Sequence, residues 1–186
     1  MPIVIVPADP NWPQAFAGIK AALTPALPAG AVVHHIGSTA VPGLAAKDII
    51  DLQVTVASLT QIDTTALAAA GFNLRAPTSD HCPPGMTLPP SDLCKRLFGT
   101  NQPHAAHVHF RELGRFNQRY PLLCRDYLRA HSPAAAAYAV IKHNLAARFP
   151  DDIEAYYAIK DPVFDLIMVG AAAWAERIAW TAPPGD

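Results

Sequence analysis

Cysteine is scarce in this chain, and Cys82, Cys94 and Cys124 are odd in number and irregularly spaced. That pattern argues against a disulfide framework. His81 beside Cys82, with Cys94 further on, still lacks the paired Cys-x-x-Cys spacing of a structural zinc site, so the three read as reduced thiols of a cytoplasmic protein. Long hydrophobic runs are missing too. The longest, residues 163–175, is followed by Glu176 and Arg177 and falls short of the roughly 20 residues a membrane span needs. The N-terminus, Met1-Pro2-Ile3-Val4-Ile5-Val6, has no basic region and no long apolar core, so no secretory leader is expected. Charge of one sign is absent as well: 14 Lys and Arg balance 15 Asp and Glu. Neither nucleic acid nor a membrane is therefore an expected partner, although a local basic cleft stays compatible with the composition.

What is present is enough apolar residue for a core. At 186 residues, 51% of them hydrophobic, the chain fits a single domain, residues 1–186. Much of the apolar content is alanine, which suits helix contacts. Residues 3–6 form a short β-branched run. Asp9-Pro10 then opens a helix that carries Trp12, Phe16, Ile19 and Leu23 at helical spacing to about Leu27. Strands are expected at 31–36 and 49–56, a helix at 60–70 closed by Gly71, and a short strand at 72–74. Residues 76–103 are rich in proline and read as a long loop interrupted by a strand at 96–98. A strand at 107–111 follows. Helices are then expected at 115–131, from Ser132-Pro133, and from Pro150-Asp151-Asp152, with Asp161-Pro162 breaking or restarting the last. The class is α+β: a mixed-sheet core over about 1–112 and a helical part over about 113–180.

Chemistry concentrates in one segment. Gly37-Ser38 ends a strand, where a glycine lets the backbone approach a phosphate closely. The next strand presents Asp51, a carboxylate able to hold a divalent cation bridging that phosphate. The plain alternative is a turn and nothing more.

The run His35-Ile36-Gly37-Ser38-Thr39-Ala40-Val41-Pro42-Gly43-Leu44-Ala45-Ala46-Lys47, leading into Ile49-Ile50-Asp51, resembles the signature of the GrpB family. His107-Val108-His109 and the helical segment from Arg125 to His131 are similar to later parts of that family, as are the Tyr138 and Lys142 and the Tyr156 and Lys160 pairs. The likeness spans nearly the whole chain except residues 76–92. The family occurs alone and fused behind dephospho-CoA kinase, and it resembles the polymerase-beta-like nucleotidyltransferases. The resemblance implies a nucleotidyltransferase-like sheet core and a cleft for a phosphorylated small molecule, either a nucleotide or a CoA-like compound. Ser38 and Asp51 would then be the catalytic positions. Gly37, Ser38 and Thr39 would hold phosphate, with Lys47, Arg111 and Lys160 as basic contacts.

One departure matters. Where such enzymes carry a second carboxylate, at the alternate position of the Asp51 strand, this chain has Gln53, a weak neutral ligand for a hard cation. Histidines offer a substitute. His107 and His109 share one face of a strand, and His35 is expected to join them and Asp51 around a metal. His34 is expected to face away. An imidazole and carboxylate set suits Zn²⁺, Mn²⁺ or Fe²⁺ better than Mg²⁺; the alternative is that these histidines bond to phosphate or to each other. Lys95 and Arg96 precede the 96–98 strand, and Arg125, Arg129 and Lys142 are further cations that a cleft could recruit, against the alternative of solvated faces. Three functions remain open at this level: metal-dependent nucleotidyl transfer, a non-catalytic folding or assembly accessory, and a metal-dependent hydrolase.

Overall fold

The computed structural model describes residues 2–186. Helix α1 (Trp12–Leu23) buries Trp12, Phe16, Ile19 and Leu23, as the helical spacing predicts. Strands β1 (Val32–Ile36), β2 (Ile50–Val56), β3 (Asn73–Arg75), β4 (Arg96–Thr100) and β5 (Ala106–Glu112) form one sheet in the order β1-β2-β5-β4-β3. Helix α2 (Thr64–Ala69) lies between β2 and β3, and helices α3 (Phe116–Ala130), α4 (Ser132–Arg148) and α5 (Ile153–Arg177) complete the chain. Only the central pair, β2 with β5, is parallel; the other neighbours are antiparallel, so the sheet is mixed. The α+β class holds. Among the described residues no helix is long and apolar enough to cross a membrane.

Strand alternation gives the sheet two unlike faces. Ile50, Leu52, Val54, Val56, Val108, Phe110 and Phe98 point to one side and pack with α1, Leu67 and Phe72 in the main core. Asp51, Gln53 and Thr55 point to the other, in register with His107, His109 and Arg111 of β5. That polar face is covered by the three late helices, whose own packing uses Leu128, Tyr138, Tyr156 and Ala171. Arg125 Nη1 donates to the carbonyl of His35 at 2.9 Å, and Arg129 Nε donates to the carbonyl of Ala40 at 2.8 Å, tying α3 to the end of β1 and the turn after it.

Three local expectations differ from the structure. Residues 3–6 make no strand; Val6 forms an isolated bridge with Ala46. The helix expected from residue 60 starts at Thr64, because the Asp63 side chain accepts from the amides of Thr65 and Ala66 and caps it there. Helix α5 continues through Pro162. Pro162 and Ala158 both lie exposed, where solvent can satisfy the carbonyl that the proline leaves without an N–H donor.

Phe110 is fully buried against Phe98, with ring centroids 5.4 Å apart. Urea denaturation of Phe110→Ala is expected to show a loss of about 3–5 kcal/mol, whereas a change at exposed Leu113 should cost far less.

Candidate functional site

Parallel pairing sets Asp51 directly beside His107, with His109 one alternate position along β5. The Asp51 carboxylate oxygen Oδ1 lies 3.3 Å from His107 Nδ1 and 3.7 Å from His109 Nε2. The three side chains offer ligand atoms within 4.8 Å of one another. Burial alone would raise the Asp51 carboxyl, but the two imidazoles outweigh it and hold the group well below the usual carboxylate range. Burial takes His109 down to about 4, against the opposing pull of Asp51, so its ring is neutral near pH 7. Arg111 Nη2 approaches His109 Nδ1 at 3.5 Å. A guanidinium can only donate, which puts the ring proton on Nε2, facing Asp51, and a cation bound through that nitrogen must displace it.

The Gly37 turn closes on the same carboxylate. Its φ of +72° favours glycine, and a Cβ built there would meet Asp51 Oδ2 at 2.5 Å. Backbone and carboxylate therefore touch only because residue 37 has no side chain.

His35 does not join this group. Its register partner is Leu52, so it faces the apolar core, stacked on Phe16 at 4.8 Å and bonded through Nε2 to Thr39 Oγ1 at 2.9 Å. Thr39, buried, spends its hydroxyl on that contact. His34, expected to face away, pairs with Gln53 and shares the polar face. Its ring nitrogen Nε2 lies 2.9 Å from the carbonyl of Pro183, so it too is set apart from Asp51.

A cleft of 710 Å³ opens between the polar face and the late helices, lined by Ser38, Asp51, His107 and His109. One end is basic. Lys142, 3% exposed, donates from Nζ to Ser38 Oγ at 2.9 Å and to the carbonyl of Ala45. Burial, and then the nearby charge of Lys160, take Lys142 down to about 7. Lys47 Nζ donates to the Tyr157 hydroxyl at 2.5 Å, and Lys160 Nζ sits 3.0 Å from Asp161 Oδ1 and over the Phe164 ring. Lys47, Lys142 and Lys160 all line the cleft, with Tyr138, Tyr156 and Tyr157 between them.

Two cations of the other wall, Arg111 and Lys95, already have a partner. Arg111 is not free for a ligand: its Nε and Nη2 donate to Asp80 at 2.9 and 3.1 Å, and its Nη1 donates to Gln53 Oε1 at 2.9 Å. Gln53 in turn donates to the carbonyl of Gln118 at 2.8 Å. The amide at the second-carboxylate position is thus a structural bolt whose oxygen and nitrogen are both occupied. Asp80 also accepts from Lys95 Nζ at 2.5 Å and Asn117 Nδ2 at 3.0 Å. Nothing in the local sequence marks Asp80, which sits in the stretch with the weakest pattern. His81 next to it reaches Asp165 on α5 at 3.0 Å, where the Tyr120 hydroxyl donates at 2.7 Å. The proline-rich stretch is therefore fastened to both walls of the cleft.

A family profile described as GrpB protein matches residues 2–169. The chain belongs to the GrpB family. A UPF0157 protein of Pseudomonas aeruginosa is 39% identical over 92% of this chain and 68% of its own length. The crystal structure of the conserved protein GrpB from Enterococcus faecalis superposes with a TM-score of 0.75 and 28% identity, covering 92% of this chain and 99% of that one. A dephospho-CoA kinase of Mycolicibacterium paratuberculosis is 36% identical over 96% of this chain but only 48% of its own length. This GrpB chain spans about half the length of the dephospho-CoA kinases it matches. The family match takes in Gly37, Ser38, Asp51, His107, His109 and Lys142, so the whole cleft centre of this GrpB protein lies within it.

Asp80 supplies a direct test of the wall. Burial raises its carboxyl, and Arg111 and Lys95 together hold it well below the usual carboxylate range. A depressed folded-state pKa stabilises above the unfolded value of about 4 and stops doing so as pH falls through the folded value. Asp80→Asn is expected to cost about 3 kcal/mol at pH 7, since it leaves two buried cations without a carboxylate. In urea titrations the gap between parent and variant should narrow below about pH 4.

Proposed function

We propose that the cleft binds a phosphorylated small molecule, a nucleotide or a CoA-like compound, together with a divalent cation, and that from a bound nucleoside triphosphate it transfers the nucleotidyl group to an acceptor oxygen with release of pyrophosphate. The observation that carries this reading is the meeting, in one cleft, of the Gly37-Ser38 turn, the buried Lys142 and the cluster of Asp51, His107 and His109. The donor set suits a cation: one carboxylate and two imidazoles, with Gln53 occupied elsewhere, favour Mn²⁺ or Zn²⁺ over Mg²⁺. Asp51, His107 and His109 would hold it, and when bound it would supply charge stabilisation at a phosphoryl oxygen. The chain's own groups do the rest. Ser38, oriented by Lys142, presents its hydroxyl hydrogen to a phosphate oxygen. Lys142, Lys160 and Lys47 offset the charge that develops on a departing pyrophosphate. The late helices exclude water from the enclosed face.

A second reading draws support from the bolted Gln53. In this reading the cleft, lacking a second carboxylate, binds without turnover, and the chain serves as an accessory to an enzyme such as the dephospho-CoA kinases, about half of whose length it matches. The relatives' name also makes CoA precursors the natural ligands to try beside nucleotides.

Thermal stability measured against nucleoside triphosphates and CoA precursors, with and without Mn²⁺, Zn²⁺ and Mg²⁺, tests both. Ligand at about a thousand times its dissociation constant should add about 4 kcal/mol to stability. A cation-dependent rise that Asp51→Ala abolishes supports the first reading, and release of pyrophosphate in the same mixture completes it. A rise without any product supports the accessory reading, and no rise with any ligand overturns the ligand-binding proposal.

Lys142 adds a pH signature. A phosphate binds its protonated form, which prevails below about 7 in the free protein. Affinity for a phosphate monoester should rise as the ester's own second ionisation completes at about pH 6, and fall above about pH 7 by up to about tenfold per pH unit. Lys142→Arg should remove the fall, because arginine stays charged throughout.

A further inference from the structure

We infer that Arg75 anchors a second oxyanion subsite, across the Asp51 and His107 centre from the lysine-lined end, and that the molecule accepting the transferred group carries a phosphate or carboxylate that docks there. The acceptor's role rests on the transfer reading above; the anion subsite itself does not.

Arg75 is the last residue of β3, and it lines the cleft. Its register partner is Leu97, while the neighbouring β4 residue Gly99 pairs with His107 on β5. A Cβ built on Gly99 would meet Arg75 Nε at 2.1 Å and Cδ and Cζ at 2.8 Å. The Arg75 side chain therefore leaves the edge strand, crosses β4 in the space that Gly99 leaves open, and extends toward β5 on the polar face. Gly99 has an ordinary strand conformation and needs no glycine for its backbone; the absent side chain is what matters there. A merely solvated arginine needs no such platform beneath it.

Partnering separates Arg75 from the other arginines that line the cleft. Arg111 is held by Asp80 and Gln53, and Arg125 by Asp126 and Asp186. The Arg75 backbone pairs with Leu97, but among the described residues its guanidinium has no hydrogen-bond or ion-pair partner. Its guanidinium is planar, permanently charged and forked, which matches the two oxygens of a phosphate or carboxylate. The 710 Å³ cleft gives room for one anionic group at Ser38 and Lys142 and another at Arg75. The acidic loop residue Asp80 does not fill this place, because its carboxylate is taken by Arg111, Lys95 and Asn117.

Phenylglyoxal labelling of the full chain, mapped by mass spectrometry, tests the subsite. Arg75 should label ahead of buried Arg111 and Arg125. Saturating inorganic phosphate or succinate should slow its labelling about tenfold, and the more effective of the two names the acceptor's group. In Gly99→Ala the added methyl displaces the guanidinium, so Arg75 should label freely with the anion present. Should that variant not fold, the parent decides alone: Arg75 labelling unchanged by both anions overturns the subsite. Mn²⁺ binding, followed by electron paramagnetic resonance in the same samples, separates the two proposals. Bound Mn²⁺ with unprotected Arg75 overturns the subsite only; protected Arg75 without Mn²⁺ binding sustains the subsite and counts against cation-dependent transfer.

Discussion

The parallel pairing of β2 with β5 is the contact on which the rest of this structure depends. It sets Asp51 against His107 and Thr55 against Arg111 at the centre of the sheet, with Gln53 and His109 between them. Buried polar groups cost several kcal/mol each when left without partners, so a polar stripe on two central strands commits everything around it. Gln53 must be bonded at both ends, and Arg111 must meet a carboxylate. The late helices must bring donors and acceptors as well as apolar surface, as Gln118, Asn117 and Lys142 do. The opposite face packs as a hydrophobic core in which His35 is bonded to Thr39 and stacked on Phe16.

This division explains how the cleft presents positive charge although the chain as a whole is nearly neutral. At the Arg111 end, Arg111 and Lys95 share the Asp80 carboxylate, whereas Lys142 at the other end is buried beside a hydroxyl and a carbonyl, with no carboxylate in contact. Local imbalance, not net charge, is what a small anionic ligand would meet.

Much of the frame was legible in the sequence. Strongly periodic segments gave α1, β2, β5 and the three late helices, and the alternation of His107 and His109 gave their shared face. The resemblance carried by the Gly37 to Asp51 run led to the family. Parity failed at β1. Two adjacent histidines must face opposite ways, but which one shares a face with Asp51 depends on the antiparallel register, and that is fixed by the turn through residues 37–49. His35 is the one expected there, whereas the register puts His34 on that face, beside Gln53. The fate of Arg111 was equally hidden, because its partner lies 31 residues away in a loop without periodicity. Arg75 had one faint signal, the glycine inside the Arg96–Thr100 strand, whose meaning appears only when the neighbouring strand is placed.

The proline-rich stretch has a consequence for how this fold can vary. Its base is a short ladder in which the Asp80 amide bonds to the Leu93 carbonyl and the Lys95 amide to the Thr78 carbonyl. Beyond it, a turn from Pro83 to Met86 bears no part of the cleft wall. Length can therefore change at the tip without shifting Asp80 or Lys95. That tip is a graft point, where an inserted peptide or a reporter would ride on the outside of the molecule while the chemistry beneath it stays in place.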